Sequence, residues 1–326
     1  MDQPPPSTAA AARAPAPRSA APVTGASGRI RCAAFDLDGT LLDHAGKFLP
    51  QLPAALGRLR RLGVRPLLVT GRSLATLRPL AAAPVLAELE DDLLLSDGNV
   101  WFHRSRGSCH TLRSLPWATL DALARHDATD LVAEVDRELI ASSRRAATAF
   151  ALAYRVPRSH IAVRPAALRT PEGGGDEAAR RPDRVLDAVT VFGADLRALP
   201  AGALPPHEPH LIRALDGQVL RPHGSCKASA LERYLDQRGL TLRATAAFGD
   251  AYNDGCLLAS SALGVAVRHA DEVAVRHSDL QLDQSLDEFL LTFDPALAVA
   301  PPRQTAPRQH GTACVGGHAH PGSDSP

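Results

Sequence analysis

The sequence predicts an α/β fold in which a Rossmann-like, mostly parallel sheet carries an inserted α+β domain. Short apolar runs alternate with amphipathic helical patterns towards both ends of the 326-residue chain, and this alternation is typical of parallel strands joined by crossover helices. Between residues 99 and 222 the alternation stops, and the chain is rich in Arg and contains no Lys. We therefore expect a core domain of residues 29–98 and 223–299, interrupted by a cap domain of residues 99–222.

The first part of the core is predicted to run strand, helix, strand, helix, strand. The strands are expected at residues 30–35, 64–69 and 93–95, and the helices at 50–62 and 73–80. Leucines at positions 52, 56, 59 and 62 recur every three or four residues, which places them on one helical face. Gly63 then suits the C-terminal end of that helix.

The second part of the core repeats this pattern. Its helices are expected at residues 227–238, 253–259 and 285–291, and its strands at 244–248, 263–267 and 279–282. In the cap, helices are predicted at 115–126, 143–154 and 178–186, one strand at 188–192, and a loop at 172–176. Residues 1–28 and 300–326 are rich in Pro, Ala, Ser and Gly, so we expect a disordered leader and tail there.

Composition argues against several classes of partner. The net charge is +1 and aromatic residues make up 4% of the chain, which favours neither nucleic acid nor a membrane surface. No apolar run reaches the length of a membrane span. The five cysteines are scattered, odd in number and without a Cys-x-x-Cys pair. A disulfide framework is therefore not expected, and a reducing cytoplasm is the predicted location.

The most informative motif is the run from Asp36 to Thr40, Asp-Leu-Asp-Gly-Thr, directly after the first predicted strand. In open α/β sheets, ligands bind at the carboxyl ends of strands. Two carboxylates two residues apart repel each other unless a cation or a shared proton joins them. An Asp-x-Asp pair alone is also compatible with an ordinary turn. The longer run favours a site that holds a hard metal and offers one carboxylate as a nucleophile.

Three further signals lie at strand ends or helix starts. Thr70-Gly71-Arg72 follows the second strand, where a hydroxyl and backbone N–H groups suit an anion, although a simple N-cap would look the same. Lys227 opens a helix in a chain whose other lysine is Lys47, so a specific role and a solvated surface charge stand as equal interpretations. Gly249-Asp250-Ala251-Tyr252-Asn253-Asp254 adds two acids and an amide, a set that suits Mg²⁺.

The order of these motifs resembles the haloacid dehalogenase-like phosphatases, in particular the Cof-like branch with a large inserted α/β cap. The resemblance rests on Asp36-Leu37-Asp38-Gly39-Thr40-Leu41, Thr70-Gly71-Arg72, Lys227 and Gly249-Asp250-x-x-Asn253-Asp254, and it covers about residues 30–291. Ser96-Asp97-Gly98 is similar to the family's Ser-Asn-Gly, at the point where the chain leaves for the cap.

This resemblance implies a nucleophile, a proton carrier and a metal site. Asp36 would attack the substrate phosphorus and form an aspartyl-phosphate. Asp38 would protonate the leaving oxygen and then activate water. Mg²⁺ would be held by Asp36, the Asp38 main-chain carbonyl and Asp250, with Asp254 and Asn253 in support.

The resemblance also implies a phosphate site and a reaction. Thr70, Gly71, Lys227 and Asn253 would bind the phosphoryl group of a small phosphorylated metabolite, either a sugar phosphate or a cofactor phosphate. A phosphomutase or phosphotransferase, and a non-catalytic binding module of the same fold, remain alternatives. The latter would be expected to have lost one of the acids or the lysine.

Two questions stay open at this level. Arg268-His269 stands where the family often has Gly-Asn, a departure that could change substrate choice. The sequence does not identify the substrate, and it does not distinguish a monomer from a homodimer.

Overall fold

The computed structural model describes residues 29–126, 130–168, 184–199, 203–204, 207–212 and 217–296. The predicted leader and tail, the loop at 172–176 and most of the predicted helix at 178–186 lie outside these residues. The strands are β1 (Cys32–Phe35), β2 (Arg65–Val69), β3 (Asp92–Leu95), β4 (Val100–His103), β5 (Ser108–Thr111), β6 (Leu131–Val135), β7 (Glu138–Ala141), β8 (Ile161–Val163), β9 (Leu186–Phe192), β10 (His207–Ile212), β11 (Gly217–Pro222), β12 (Thr245–Gly249), β13 (Leu263–Ala266) and β14 (Leu280–Gln281). The α-helices are α1 (Leu52–Arg61), α2 (Leu74–Leu77), α3 (Ala118–Arg125), α4 (Arg144–Tyr154), α5 (Lys227–Asp236), α6 (Gly255–Ser260), α7 (Glu272–His277) and α8 (Leu286–Thr292).

One sheet, the core sheet, has the strand order β14-β13-β12-β1-β2-β3-β4-β5. Its first six strands in this order pair in parallel, which confirms the predicted α/β class. The chain leaves β1 towards β2 on one side and returns to β12 on the other. The strand order therefore reverses at β1, and open α/β sheets bind ligands at such a point.

Helices cover both faces of the core sheet because successive strand residues point to opposite faces. On one face Phe35 of β1 stacks on Phe248 of β12, with ring centroids 4.8 Å apart, and both pack in one apolar cluster with α1 and α8. On the other face Ala34 and Ala247 pack against Leu231 and other residues of α5 and α6. The alternation fixes which side of each strand end faces the site.

The core sheet extends further along the chain than the sequence indicated. Strands β4 and β5 pair antiparallel beside β3, so the first segment of this sheet ends at Thr111 instead of residue 98. The division of the chain into core and cap domains itself stays a prediction.

A second sheet, the cap sheet, has the strand order β10-β11-β9-β6-β7-β8. The sequence predicted one of these strands, β9, together with the helices now seen as α3 and α4. The other strands are short, and buried polar residues such as Glu134 and Gln218 interrupt their apolar pattern. None of the helices in the described part of the chain has the length and apolarity that a membrane span requires.

Leu56 provides a test of the packing between α1 and the core sheet. Its side chain is fully buried, so Leu56→Ala should lower the free energy of unfolding by about 2–5 kcal/mol. Leu152 on α4 is 67% exposed, and Leu152→Ala should change stability by less than about 0.5 kcal/mol. Urea denaturation measures both, and equal losses in the two variants would contradict this packing.

Candidate active site

The predicted site residues converge at the carboxyl edge of the core sheet. Asp36 follows β1, Thr70 follows β2 and Asp250 follows β12. They line one cavity of about 350 Å³ whose opposite wall comes from the cap, including Tyr154 and Arg221. The structure therefore brings together residues that are as far apart as 214 positions in the sequence.

Lys227 joins two of the acids. Its Nζ donates to Asp36 Oδ1 at 2.6 Å and to Asp254 Oδ1 at 2.7 Å, and all three side chains are at most 7% exposed. Burial disfavours the ammonium, but the charges of Asp254 and Asp36 outweigh this effect and raise the pKa of Lys227 well above its usual value. The lysine is therefore a fixed positive charge behind Asp36, which lines the cavity.

Asp254 has a structural place in the loop after β12. Its second oxygen accepts the backbone N–H groups of Asp250 and Ala251, both at 3.1 Å. With both oxygens engaged, Asp254 holds the loop and the lysine, and Asp250 is left directed towards Asp36.

Asp36, Asp250 and Asp254 lie around a potential cation site, in which Asp254 has a supporting place because its oxygens already accept from Lys227 and two backbone N–H groups. Each offers an oxygen, and these oxygens lie within 4.8 Å of one another. Carboxylates in this number, with room for water and phosphate oxygens, fit Mg²⁺. Burial, reinforced by the neighbouring acids, raises the pKa of Asp36 despite the opposing charge of Lys227. Burial and Asp254 raise the pKa of Asp250 to about 7, and a bound cation would relieve this repulsion.

Gly39 keeps space for Asp250. Its φ is +80°, and a Cβ at this position would lie 2.2 Å from Asp250 Oδ2. Both the left-handed backbone and the close approach require glycine, which gives a physical reason for the Gly in the Asp-Leu-Asp-Gly-Thr run.

Asp38 lines the cavity and forms an ion pair with Arg72. Arg72 Nε and Nη2 each donate to one oxygen of Asp38 at 2.7 Å, a bidentate pair. The Arg72 side chain is 5% exposed and that of Asp38 is 48% exposed. The sequence places Arg72 in the motif Thr70-Gly71-Arg72 but does not predict its pairing with Asp38. Two residues that are 34 positions apart leave no local signal of such a contact.

The predicted phosphate ligands make contacts of their own. Thr70 Oγ1 accepts the backbone N–H of Arg72 at 3.1 Å, and Asn253 Nδ2 donates to Asp97 Oδ1 at 3.1 Å. Thr70, Gly71 and Asn253 all line the cavity. Their roles in phosphate binding stay predictions, and Asn253 is tied to Asp97 in this arrangement.

Two buried residues of the site were not predicted. Asp97 and Arg221 form an ion pair, with Arg221 Nε donating to Asp97 Oδ2 at 2.8 Å. Asp97 had been noted within Ser96-Asp97-Gly98, but no sequence signal marked Arg221 in its cap strand. Arg268 and His269, singled out as a departure from the family, are exposed and line a neighbouring cavity that also touches Gly39.

The fold and this arrangement define a site at the carboxyl edge of a mostly parallel α/β sheet, with a buried lysine between two carboxylates. The sequence matches the haloacid dehalogenase-like hydrolases over residues 33–98 and 218–288, two segments that contain Asp36, Lys227 and Asp250. This match agrees with the resemblance to the haloacid dehalogenase-like hydrolases that the motifs had indicated. No curated protein matches the sequence significantly.

Solved structures share this fold at low sequence identity. A superfamily phosphatase from Bacteroides thetaiotaomicron is 19% identical, with a TM-score of 0.64 over 84% of this chain and 98% of its own. A subclass IIB sugar phosphatase is 17% identical, with a TM-score of 0.62 over 80% and 98%. A protein from Thermotoga maritima is 16% identical, with a TM-score of 0.65 over 81% and 98%.

The raised pKa of Asp250 predicts that Mg²⁺ binding depends on pH. Below a pKa of about 7 the metal-free carboxyl is protonated, and a protonated carboxyl is a poor ligand, so binding must release a proton. Calorimetric titration should show Mg²⁺ affinity rising by about fivefold between pH 6 and pH 7, by about tenfold in all by pH 8, and levelling off above pH 8. Equal affinities at pH 6 and pH 8 would contradict the assignment of Asp250 to the cation site.

The same pKa has the opposite effect on the stability of the metal-free protein. Asp250 titrates near 7 in the folded chain and near ~4 in the unfolded chain. Between these values the folded state holds the extra proton, so this group's contribution to stability falls as pH rises. Asp250→Asn should remove this dependence and weaken Mg²⁺ binding.

Gly39→Ala tests the clearance around Asp250, and Gly63 offers a matched control. Both glycines have positive φ, +80° and +77°, but a Cβ on Gly63 would meet no atom within 4 Å. Each alanine should cost about 1–2 kcal/mol of stability for its left-handed backbone. Gly39→Ala alone should weaken Mg²⁺ binding, and a similar loss in Gly63→Ala would show that backbone strain explains the effect.

Proposed function

We propose that this chain is a Mg²⁺-dependent phosphatase that hydrolyses a small phosphorylated metabolite, a sugar phosphate or a cofactor phosphate, through an aspartyl-phosphate. The observation that carries the proposal is the buried Asp36 carboxylate, which Lys227 holds at 2.6 Å beside Asp250 at the cavity wall. A nucleophilic carboxylate requires a fixed direction and compensation of its charge, and this contact provides both.

Asp36 and the residues around it then each have one task. Asp36 attacks the phosphorus, and Lys227 orients it and offsets the charge that accumulates as the phosphoryl group approaches. Mg²⁺, bound by Asp36 and Asp250 with the Asp38 main-chain carbonyl, would supply further positive charge to the phosphoryl oxygens. Asp254 stays behind this layer, because Lys227 and two backbone N–H groups use its oxygens.

Asp38 is proposed as the proton carrier. It gives a proton to the leaving oxygen and later takes one from the water that hydrolyses the aspartyl-phosphate. Arg72 fixes its carboxyl at the cavity wall through two contacts of 2.7 Å. Being two residues from Asp36, Asp38 is carried by the same turn after β1, so both carboxyls address one substrate.

The cap supplies the wall opposite the catalytic floor. Tyr154, Arg155, Val219 and Arg221 line the cavity from the cap side, so a cap domain of this kind would select the substrate and exclude water. A sugar phosphatase shares this fold, which supports a small phosphorylated substrate such as a sugar phosphate. A cytoplasmic location belongs to the same proposal, since the five cysteines are scattered along the chain and odd in number.

Replacing the nucleophile tests the proposal. Asp36→Asn keeps the size of the side chain but removes its nucleophilic charge, so hydrolysis of p-nitrophenyl phosphate with Mg²⁺ should fall by at least about a thousandfold. Asp283 lies on the surface between β14 and α8, so the control variant Asp283→Asn should retain wild-type turnover.

Two outcomes would count against the mechanism. Wild-type turnover in Asp36→Asn would exclude Asp36 as the nucleophile. Phosphate passed to an added alcohol, instead of released as inorganic phosphate, would identify a phosphotransferase.

A further inference from the structure

Asp97 and Arg221 meet where the core sheet and the cap sheet face each other. Asp97 lies in the turn between β3 and β4, and Arg221 lies near the end of β11, the cap strand that precedes the return to α5. Their side chains are 5% and 2% exposed. The contact between Arg221 Nε and Asp97 Oδ2 is 2.8 Å, so this is a fully buried ion pair across the two sheets.

Such a pair is poorly explained by stability. Burying two charges removes their hydration, and an apolar pair of similar volume often serves the fold equally well. The backbone is unfavourable too, because Ser96 and Asp97 both have positive φ, 53° and 52°, a conformation that side chains other than glycine rarely adopt. Features that oppose stability in this way concentrate at functional sites.

The pair and its turn hold the main chain of the predicted phosphate-binding turn, Thr70–Arg72. Three successive carbonyls of that turn are engaged from this side. Asp97 N–H donates to Thr70 O at 3.0 Å, Ser96 N–H donates to Arg72 O at 2.9 Å, and Arg221 Nη2 donates to Gly71 O at 2.5 Å.

These bonds decide which donor remains for a ligand. Peptide groups are trans, so each N–H points away from the carbonyl of the same peptide. The Arg72 N–H is used by Thr70 Oγ1, and the Ser73 N–H by Thr76 Oγ1. The Gly71 N–H is directed away from the Thr70 carbonyl that Asp97 holds, and Gly71 lines the cavity.

Asp97 also reaches the loop that carries Asp250. Its second oxygen accepts from Asn253 at 3.1 Å, and a Cβ on Gly71 would lie 3.1 Å from the same oxygen. One carboxylate therefore contacts the cap arginine, the metal loop and the turn after β2.

We propose that Asp97 and Arg221 act as one positioning unit that sets the orientation of the Thr70–Arg72 turn and makes it depend on contact with the cap. The unit rests on the proposed phosphate site at Thr70 and Gly71. It touches no reacting atom. The Asp97 N–H holds the Thr70 carbonyl, which directs the Gly71 N–H of the same peptide towards the phosphoryl group, and Arg221 holds the next carbonyl, that of Gly71. Because Arg221 belongs to a cap strand, the phosphate site is complete when that strand is in place.

The test measures binding of inorganic phosphate in the presence of Mg²⁺ by calorimetry, together with kcat and KM for p-nitrophenyl phosphate. Arg221→Met and Asp97→Asn should each weaken phosphate binding by about tenfold, the loss expected for charge-assisted hydrogen bonds. Arg221→Lys should not restore it, since an ammonium cannot reach Asp97 and Gly71 with a planar fork. The double variant should bind phosphate about as tightly as whichever single variant has the lower phosphate affinity, because the two side chains act together.

Asp92 and Arg238 provide a matched control. They form an Asp–Arg pair in the core away from the cavity-lining residues, so Asp92→Asn should leave phosphate affinity at the wild-type value while thermal unfolding reports any general loss of stability. Wild-type phosphate affinity in both Arg221→Met and Asp97→Asn, or losses that add in the double variant, would overturn the positioning unit while leaving the proposed function standing. A wild-type chain that neither binds phosphate nor hydrolyses esters would overturn both.

Discussion

The site depends on placing several carboxylates at one sheet edge without letting them repel each other apart. Asp36, Asp250 and Asp254 have oxygens within 4.8 Å of one another, and like charges at such distances in a buried setting are strongly unfavourable. The Lys227 ammonium, bound to two of the three, is the interaction that makes the cluster tenable. Because Lys227 opens α5 and the acids follow β1 and β12, this charge balance requires the start of α5 to lie beside the ends of those two strands.

The carboxylate cluster also requires glycine at two neighbouring backbone positions, Gly39 and Gly249. A Cβ on Gly39 would collide with Asp250, and a Cβ on Gly249 would lie 2.5 Å from Asp254 Cγ. The carboxylates therefore pack directly on main chain, which leaves them little freedom to turn away from each other. Rigid orientation of this kind is what electrostatic catalysis requires, since groups that are already aligned need no rearrangement during reaction.

The sequence predicted the acids at the strand ends of the site but not the arginines that pair with Asp38 and Asp97. Asp36, Asp38 and Asp250 follow apolar runs directly, so local pattern and the rule for strand ends were sufficient to place them. The partners of Asp38 and Asp97 are Arg72 and Arg221, 34 and 124 positions away, and an arginine in an arginine-rich chain has no local feature that identifies its partner. The cap strands other than β9 were not predicted, for a related reason. Glu134, Gln218 and Arg221 are buried at positions where an apolar residue would indicate a strand.

Those buried polar residues give the cap a charge suited to an anionic substrate. Burial raises the pKa of Glu134 in β6, and burial together with Glu134 raises the pKa of Asp187 in β9 to about 7. The pKa of Arg221 is raised, since Asp97 and Glu134 outweigh the effect of its burial. Near neutral pH Asp187 is therefore partly protonated, whereas the Arg221 guanidinium stays charged. A phosphoryl group that enters between the sheets would meet Asp36, with Lys227 behind it, and the Thr70–Arg72 turn that Arg221 holds. The acids it must approach are those that the cation site would neutralise.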